Sequence, residues 1–278
     1  EGQWTCQKTA IPCYNGDFLL THKPLKNNPL VEAHVEIEWA LQEQGPQGIK
    51  TDPYYKMALG RFYERVMNQY PEHETLAAAK FPETMVYHTA QHLFRVGRGR
   101  WPAIQMGPGI LSVHERDEYE WNDFARRSED ALRKLFESYP KGTDFKVETL
   151  RLQYTDAVNL DFTRENALEF LKEKFKTTIQ LPPTLFLDGH VQARPKSFSW
   201  QATFEEDQPN GSITIRFSTG ERNSQPALIW ETIVESTGNE LPALPSRFGE
   251  WMTQAHTLTD DWFFKFIEGD LEKDFGGE

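Results

Sequence analysis

Along this chain, stretches of period two alternate with stretches of period near 3.6, and the order of the two patterns repeats. In LVEAHVEIEWAL, Val31, Ala33, Val35, Ile37 and Trp39 take one face, and Glu32, His34, Glu36 and Glu38 take the other. That alternation predicts a half-buried strand. EQGPQGIKTDPYY breaks it, and Asp52-Pro53 reads as a helix start. Tyr55, Leu59, Phe62, Val66 and Tyr70 then recur at helical spacing until Pro71. Three short apolar runs follow, HLFRV, WPAIQM and ILSV, separated by the turns GRGR and GPG. EWNDFARRSEDALRKLFESY then sets Trp121, Phe124, Leu132, Leu135 and Tyr139 on one side of a helix.

The second half of the chain presents the same order. VETLRLQYTDAVNL reads as a strand with Leu150, Leu152 and Tyr154 on one face, and ENALEFLKEKF as a short helix. SFSWQATFEED, SITIRFSTGER and ALIWETIVES read as three strands whose buried faces are Phe198, Trp200 and Phe204, then Ile213, Ile215 and Phe217, then Leu228, Trp230 and Val234. A long helix closes the chain, carrying Phe248, Trp251, Met252, Ala255, Trp262, Phe263, Phe266 and Ile267 on a broad stripe, with Thr257 to Asp261 as a candidate break. The predicted class is therefore α+β: a duplicated β-α-β-β-β-α unit making antiparallel curved sheets backed by long helices, by analogy a TATA-binding-protein-like saddle. Residues 1–28 read as a lead-in arm, 29–142 as the first half and 143–278 as the second, together one compact unit.

The glycine-rich stretch VGRGRWPAIQMGPGILSV raises the question of a phosphate loop. Such a loop needs a helix N-terminus directly after it and a Lys-Ser or Lys-Thr. Strands follow both turns here, so the glycines read as corners, with Arg98 and Arg100 left as candidates for touching an anion.

Charge narrows the partners. The net charge is −12. A nucleic-acid binder normally carries a basic footprint, so nucleic acid is not expected as the main partner. No apolar run approaches the ~18 residues of a membrane span, and no secretory signal is visible, so the chain reads as cytoplasmic. Only Cys6 and Cys13 are present. They fit either a local disulfide in an oxidising compartment or two reduced thiols, and the second reading is favoured because the rest of the chain has no cysteine.

No catalytic signature emerges, and no cofactor or metal is expected. His88 and His92 in VYHTAQH would share a metal on a helix but lie about 13 Å apart on a strand. VHERDE at His114 lacks the second His of a metalloprotease helix. Asp144-Phe145-Lys146 is a nuclease-like Asp-x-Lys that would need a further carboxylate, Glu115 or Asp156. Tyr154, Asp156, Asn159 and Asp161 interrupt an apolar strand at the junction of the halves; they read as hydrogen-bonded junction groups or as the wall of a ligand pocket. The aromatic last helix reads as core or as a docking face.

NPLVEAHVEI, WPAIQMGPGILSVHE with YEW after it, LRLQYTDAVNL, and a late helix with AHTLTDDWF together resemble a sporadically distributed bacterial family of uncharacterised proteins. Members open with a Pro-Ile-Val-Glu-Ala-like strand, carry a vQlGp hairpin, a Trp-x-x-Phe helix and an lRYiNri strand, and end in a helix containing a His. The resemblance covers about residues 27–268. It falls on Gln105, Met106, Gly107 and Pro108, on Trp121 and Phe124, and on His256. The chain departs at Gln153 and Asp156, where the family has Arg and Asn, and at His114, where it often has Asn. The resemblance implies no activity, cofactor or substrate; the family's patchy distribution is that of mobile or defence-associated genes.

These readings order three functions. The first is a non-enzymatic protein-interaction or regulatory module, its partner another protein from the same locus. The second is a small-ligand sensor with a pocket between the halves around Tyr154, Asp156 and Trp230, with Asn159 and His256 beside it. The third is a metal-dependent hydrolase or nuclease using His88, His92 or His114 with nearby carboxylates.

Overall fold

The computed structural model describes residues 25–44, 48–187 and 189–277. Cys6, Cys13 and most of the lead-in arm lie outside the described residues. Sixteen elements follow in chain order: β1 (Leu30–Trp39), β2 (Gln42–Gln44), β3 (Ile49–Thr51), α1 (Tyr55–Val66), β4 (Glu72–Thr75), β5 (His92–Arg95), β6 (Ala103–Gly107), β7 (Ile110–Glu115), α2 (Trp121–Ser138), β8 (Val147–Asn159), α3 (Ala167–Lys174), β9 (Ser199–Asp207), β10 (Asn210–Arg222), β11 (Gln225–Thr237), α4 (Phe248–Ile267) and α5 (Asp270–Gly276). The class is α+β.

Nine strands form one antiparallel sheet in the order β4-β5-β6-β7-β1-β8-β11-β10-β9, and β2 pairs only with β3. Outward from the central β1–β8 pair the strands run β7, β6, β5, β4 on one side and β11, β10, β9 on the other. The ladder between β1 and β8 sets Val35 opposite Leu152 and Ile37 opposite Leu150. Because alternate residues point to opposite faces, this register gathers Val35, Ile37, Leu150 and Leu152 on one side.

That side carries the core. Ala33, Val35, Ile37, Leu111, Val113, Leu150 and Leu152 pack with Phe62 of α1, Leu132 of α2 and Met252 of α4. A second cluster joins Ile215, Phe217, Leu228 and Trp230 to Leu171 of α3, Ile267 of α4 and Phe275 of α5. Since Ile213 and Val234 belong to the first cluster and share strands and face with Ile215 and Trp230, all five helices described lie on one face of the sheet. None of them is long and apolar enough to cross a membrane.

Local sequence explains the helix boundaries. Glu120 caps α2 by accepting from the backbone N–H of Asn122 and Asp123, and Asn166 caps α3 through Leu168. The expected break at Thr257–Asp261 is absent: α4 is continuous. The hydroxyls of Thr257 and Thr259 donate back to the carbonyls of Thr253 and Ala255, and Lys265 pairs with Asp261. Polarity on that turn thus satisfies the helix instead of ending it. Phe204 also departs from expectation, being 50% exposed. It lies on β9, the last strand of the sheet, where Trp262 meets its edge. Strands β2, β3 and β4 and helix α5 were not anticipated; three- and four-residue strands and one short helix carry too little periodicity to read.

The corner glycines have a sharper role than turning the chain. A Cβ on Gly107 would stand 1.9 Å from the carbonyl oxygen of Thr89. That segment is fixed on both sides, by His88 N–H to Pro108 O and by Gln91 N–H to Met106 O. Gly107→Ala is expected to lower stability by about 1–3 kcal/mol through overpacking, read as the urea midpoint of the full chain. An unchanged midpoint would mean that the Thr89 segment moves aside without cost.

Candidate functional site

Two polar assemblies stand out, one buried beneath the helices and one on the open face. The buried one is a seam between the two apolar clusters. Across the β8–β11 ladder Tyr154 is opposite Thr232 and Asp156 is opposite Trp230, so these side chains form a patch on the helix side. Helix α4 lowers His256 onto it, with Nδ1 2.9 Å from the Tyr154 hydroxyl. Tyr119, just before α2, brings its hydroxyl within 2.8 Å of that of Tyr154. The indole of Trp121 stacks on the His256 ring at 3.8 Å.

Burial governs the electrostatics of the seam. It holds the His256 imidazole down at about 4, so the ring is neutral. It pushes the Asp156 carboxyl up to about 8 against the pull of Arg222, and it raises both tyrosines. Trp230 Nε1, Thr232 Oγ1 and His256 Nε2 are buried without a hydrogen-bond partner among the described residues. Four expected site residues, Tyr154, Asp156, Trp230 and His256, are therefore brought together.

The other expected residues disperse. Asn159 is exposed at the strand end and donates to Gln225. Arg98 and Arg100 are exposed in the β5–β6 turn, where the Arg100 carbonyl accepts from Arg95. His88 turns to Glu38 and the Trp39 carbonyl, whereas His92 stacks on His73 with ring nitrogens 2.9 Å apart, so the His88/His92 pair makes no common site. Neither carboxylate weighed for the Asp-x-Lys fragment, Glu115 or Asp156, lies near it. Ala40 N–H reaches the Lys146 carbonyl, while Glu115 is opposite Ala33. That is about 20 Å away along β1, and Asp156 is about 30 Å away along β8, at roughly 3.3 Å per residue.

The open face is a lattice of charge. Arg151 on β8 holds Glu36 of β1 and lies 2.6 Å from Glu235 of β11. Glu231 accepts from Gln153 at 2.7 Å and pairs with Arg216 at 2.9 Å. Nearer β7, Glu32 contacts His114 Nδ1 at 2.7 Å and Arg116 at 3.0 Å, and these two partners hold its carboxyl at about 2 despite burial. An ionised carboxylate only accepts, so His114 Nδ1 carries the hydrogen. Ser112 Oγ lies 2.8 Å from Nε2 of the same ring. His34 stacks on His114 at 5.1 Å, its Nδ1 buried and without a hydrogen-bond partner among the described residues. Burial and the neighbouring His114 keep it neutral, at about 4. Trp101 completes the group, gripped by Arg95 at 4.5 Å and Arg116 at 4.3 Å.

Residue patterns alone missed His34, Ser112, Trp101, Tyr119 and Thr232. The sequence marked His34 only as one of the polar positions of β1, and its partner lies eighty residues away on β7. Glu115, weighed as a metal ligand, lies instead on the helix side with Arg127 near, and burial raises it to about 7.

No protein-family model matches the chain, and no curated protein does. Among solved structures, Methanococcus jannaschii TBP aligns over 84% of this chain and 95% of its own length at 11% identity, with a TM-score of 0.22, a likeness that carries no functional inference.

The seam has a pH signature. Asp156 keeps its proton in the folded state up to about pH 8 but loses it in the unfolded chain near 3.8. Unfolding therefore releases a proton over that window, and stability falls as pH rises. His256 acts in the opposite sense only between about 4 and its ordinary 6.5. Between pH 6.5 and 8, wild-type protein is expected to lose about 1–2 kcal/mol relative to Asp156→Asn, measured by urea unfolding across pH. Parallel pH profiles for the two proteins would show Asp156 ionised in the folded state.

Proposed function

We propose that this chain is a non-enzymatic, cytoplasmic protein-interaction or regulatory module that binds another protein with the helix-free face of its sheet. One observation carries the reading. All five helices described pack on one side, and the opposite side is a broad surface of half-buried charge held in register by β-ladders. Glu32, Glu36, Glu38, Glu231 and Glu235 outnumber Arg95, Arg116, Arg151 and Arg216 there. Such a surface favours a partner with basic groups and repels a phosphate backbone. In this reading the sheet is a saddle built from two duplicated halves, which the mirrored strand order on either side of β1–β8 supports. The resemblance to a patchily distributed bacterial family supports a partner encoded at the same mobile or defence-associated locus.

A small-ligand sensor is the second reading, favoured by the unpartnered Trp230 Nε1, Thr232 Oγ1 and His256 Nε2 gathered at the seam. A ligand there would supply those bonds after Trp121 swings off His256.

The two readings separate in one experiment. Tagged protein is purified gently from its own host and weighed by native mass spectrometry. A second polypeptide is expected, and Glu38→Lys, Glu231→Lys and Thr214→Lys should each weaken its binding by about tenfold or more. Thr214 pairs with Thr203 on the open side of β10 and takes no part in the ion pairs, so its substitution tests the face without dismantling the lattice. Binding that ignores all three changes, or a retained small molecule with no second polypeptide, would contradict the proposal.

A further inference from the structure

We infer that Glu32, His34 and His114 form a binding site for a single divalent transition-metal ion of the zinc class. One ligand atom from each residue lies within 4.8 Å of the others. The geometry comes from adjacent strands. His34 on β1 and His114 on β7 are direct cross-strand partners, and such pairs stand with Cβ atoms about 5 Å apart. Glu32 is two residues from His34, on the same face. Cross-strand pairing brings imidazoles together in a way that His88 and His92, four residues apart in sequence, do not achieve.

Three features of the site point to an ion. First, His34 Nδ1 is buried and makes no hydrogen bond to any described residue, an expense that a native structure normally avoids unless the atom has a use. Second, the remaining atoms of the other two ligands are already held. Ser112 Oγ is 2.8 Å from His114 Nε2, and Arg116 is 3.0 Å from the second oxygen of Glu32. A metal-bound histidine characteristically hydrogen-bonds through its other nitrogen, and ligating carboxylates are held in the same way. Third, two imidazoles and one carboxylate make the donor set of a zinc site with an open fourth position for water.

In the metal-free protein a hydrogen sits between His114 Nδ1 and Glu32 Oε1. An arriving ion displaces it: the Nδ1–H bond breaks, solvent relays that proton to Nε2 of the same ring, and the freed Nδ1 and the Glu32 oxygen each form a bond to the metal. His34 supplies the third bond. His114 Nε2 then carries the ring hydrogen and donates it to Ser112 Oγ. No electron is transferred.

The site is independent of the proposed partner binding, and its test needs only the purified chain. Full-length protein is dialysed against micromolar zinc or cobalt and its metal content measured by plasma mass spectrometry. The expected outcome is about one ion per chain, a raised melting temperature by mass action, and the intense visible absorption of four-coordinate cobalt. His34→Gln and His114→Gln should abolish uptake. Ser112→Ala, which keeps all three ligands, should weaken it by about tenfold, so the test survives if either histidine variant fails to fold. His73→Gln/His92→Gln, which removes the other histidine pair, should leave uptake intact. No bound ion in the wild type, or uptake lost only in the His73/His92 variant, would overturn the assignment.

Discussion

The antiparallel pairing of β1 with β8 is the constraint on which the rest of the molecule depends. These two strands are central in the sheet, and each half of the chain hangs from one of them. Their register decides which side chains share a face. A slip of β1 by one residue would turn Val35 and Ile37 to the open side and bury Glu36 and Glu38 among the helices. The apolar cost of such a slip, several side chains at about 1.5–3 kcal/mol each, fixes the pairing.

With the register fixed, helices that present one apolar stripe each can cover only one face. The other face must satisfy its half-buried polar groups within the sheet, and it does so by interlocking them. Arg151 links strands β1, β8 and β11, and Glu231 links β8, β10 and β11. Arg151, Arg216, Glu36, Glu231 and Glu235 are each committed to neighbours on other strands, which restrains their side chains. Such a surface suits recognition better than a mobile surface would, since little side-chain freedom remains to be lost on binding. The same register produces both polar clusters. Tyr154 and Asp156 reach the helix side because they occupy even positions of β8, and His34 reaches the open side because it occupies an even position of β1.

Much of this was legible in the amino-acid sequence. Strict alternation in LVEAHVEIEW separated Val35 from Glu36 correctly, and helical spacing found α1, α2 and α4. Tyr154, Asp156, Trp230 and His256 were marked by being polar or aromatic at a strand junction and on a late helix, and they do meet. Other features resisted for physical reasons. The break expected at Thr257 failed because threonine hydroxyls can bond within a helix as well as end one. Phe204 failed because its strand is the last of the sheet, which no alternation pattern reveals. The Glu32–His34–His114 group failed because it depends on which strands are neighbours, and strand order is carried by long-range packing and not by any local run of residues.

The central claim is that the open, charge-laced face is the surface this protein presents to a partner. Carboxyl footprinting tests it most directly: carbodiimide labelling of the chain purified alone and as isolated from its host with any bound polypeptide, read by peptide mass spectrometry. Protection of Glu38, Glu231 and Glu235, with Glu129, Glu137 and Glu250 on the helix side labelled equally in both samples, is the predicted result. Protection confined to the helix-side carboxylates would contradict the account and move the binding surface to the opposite face.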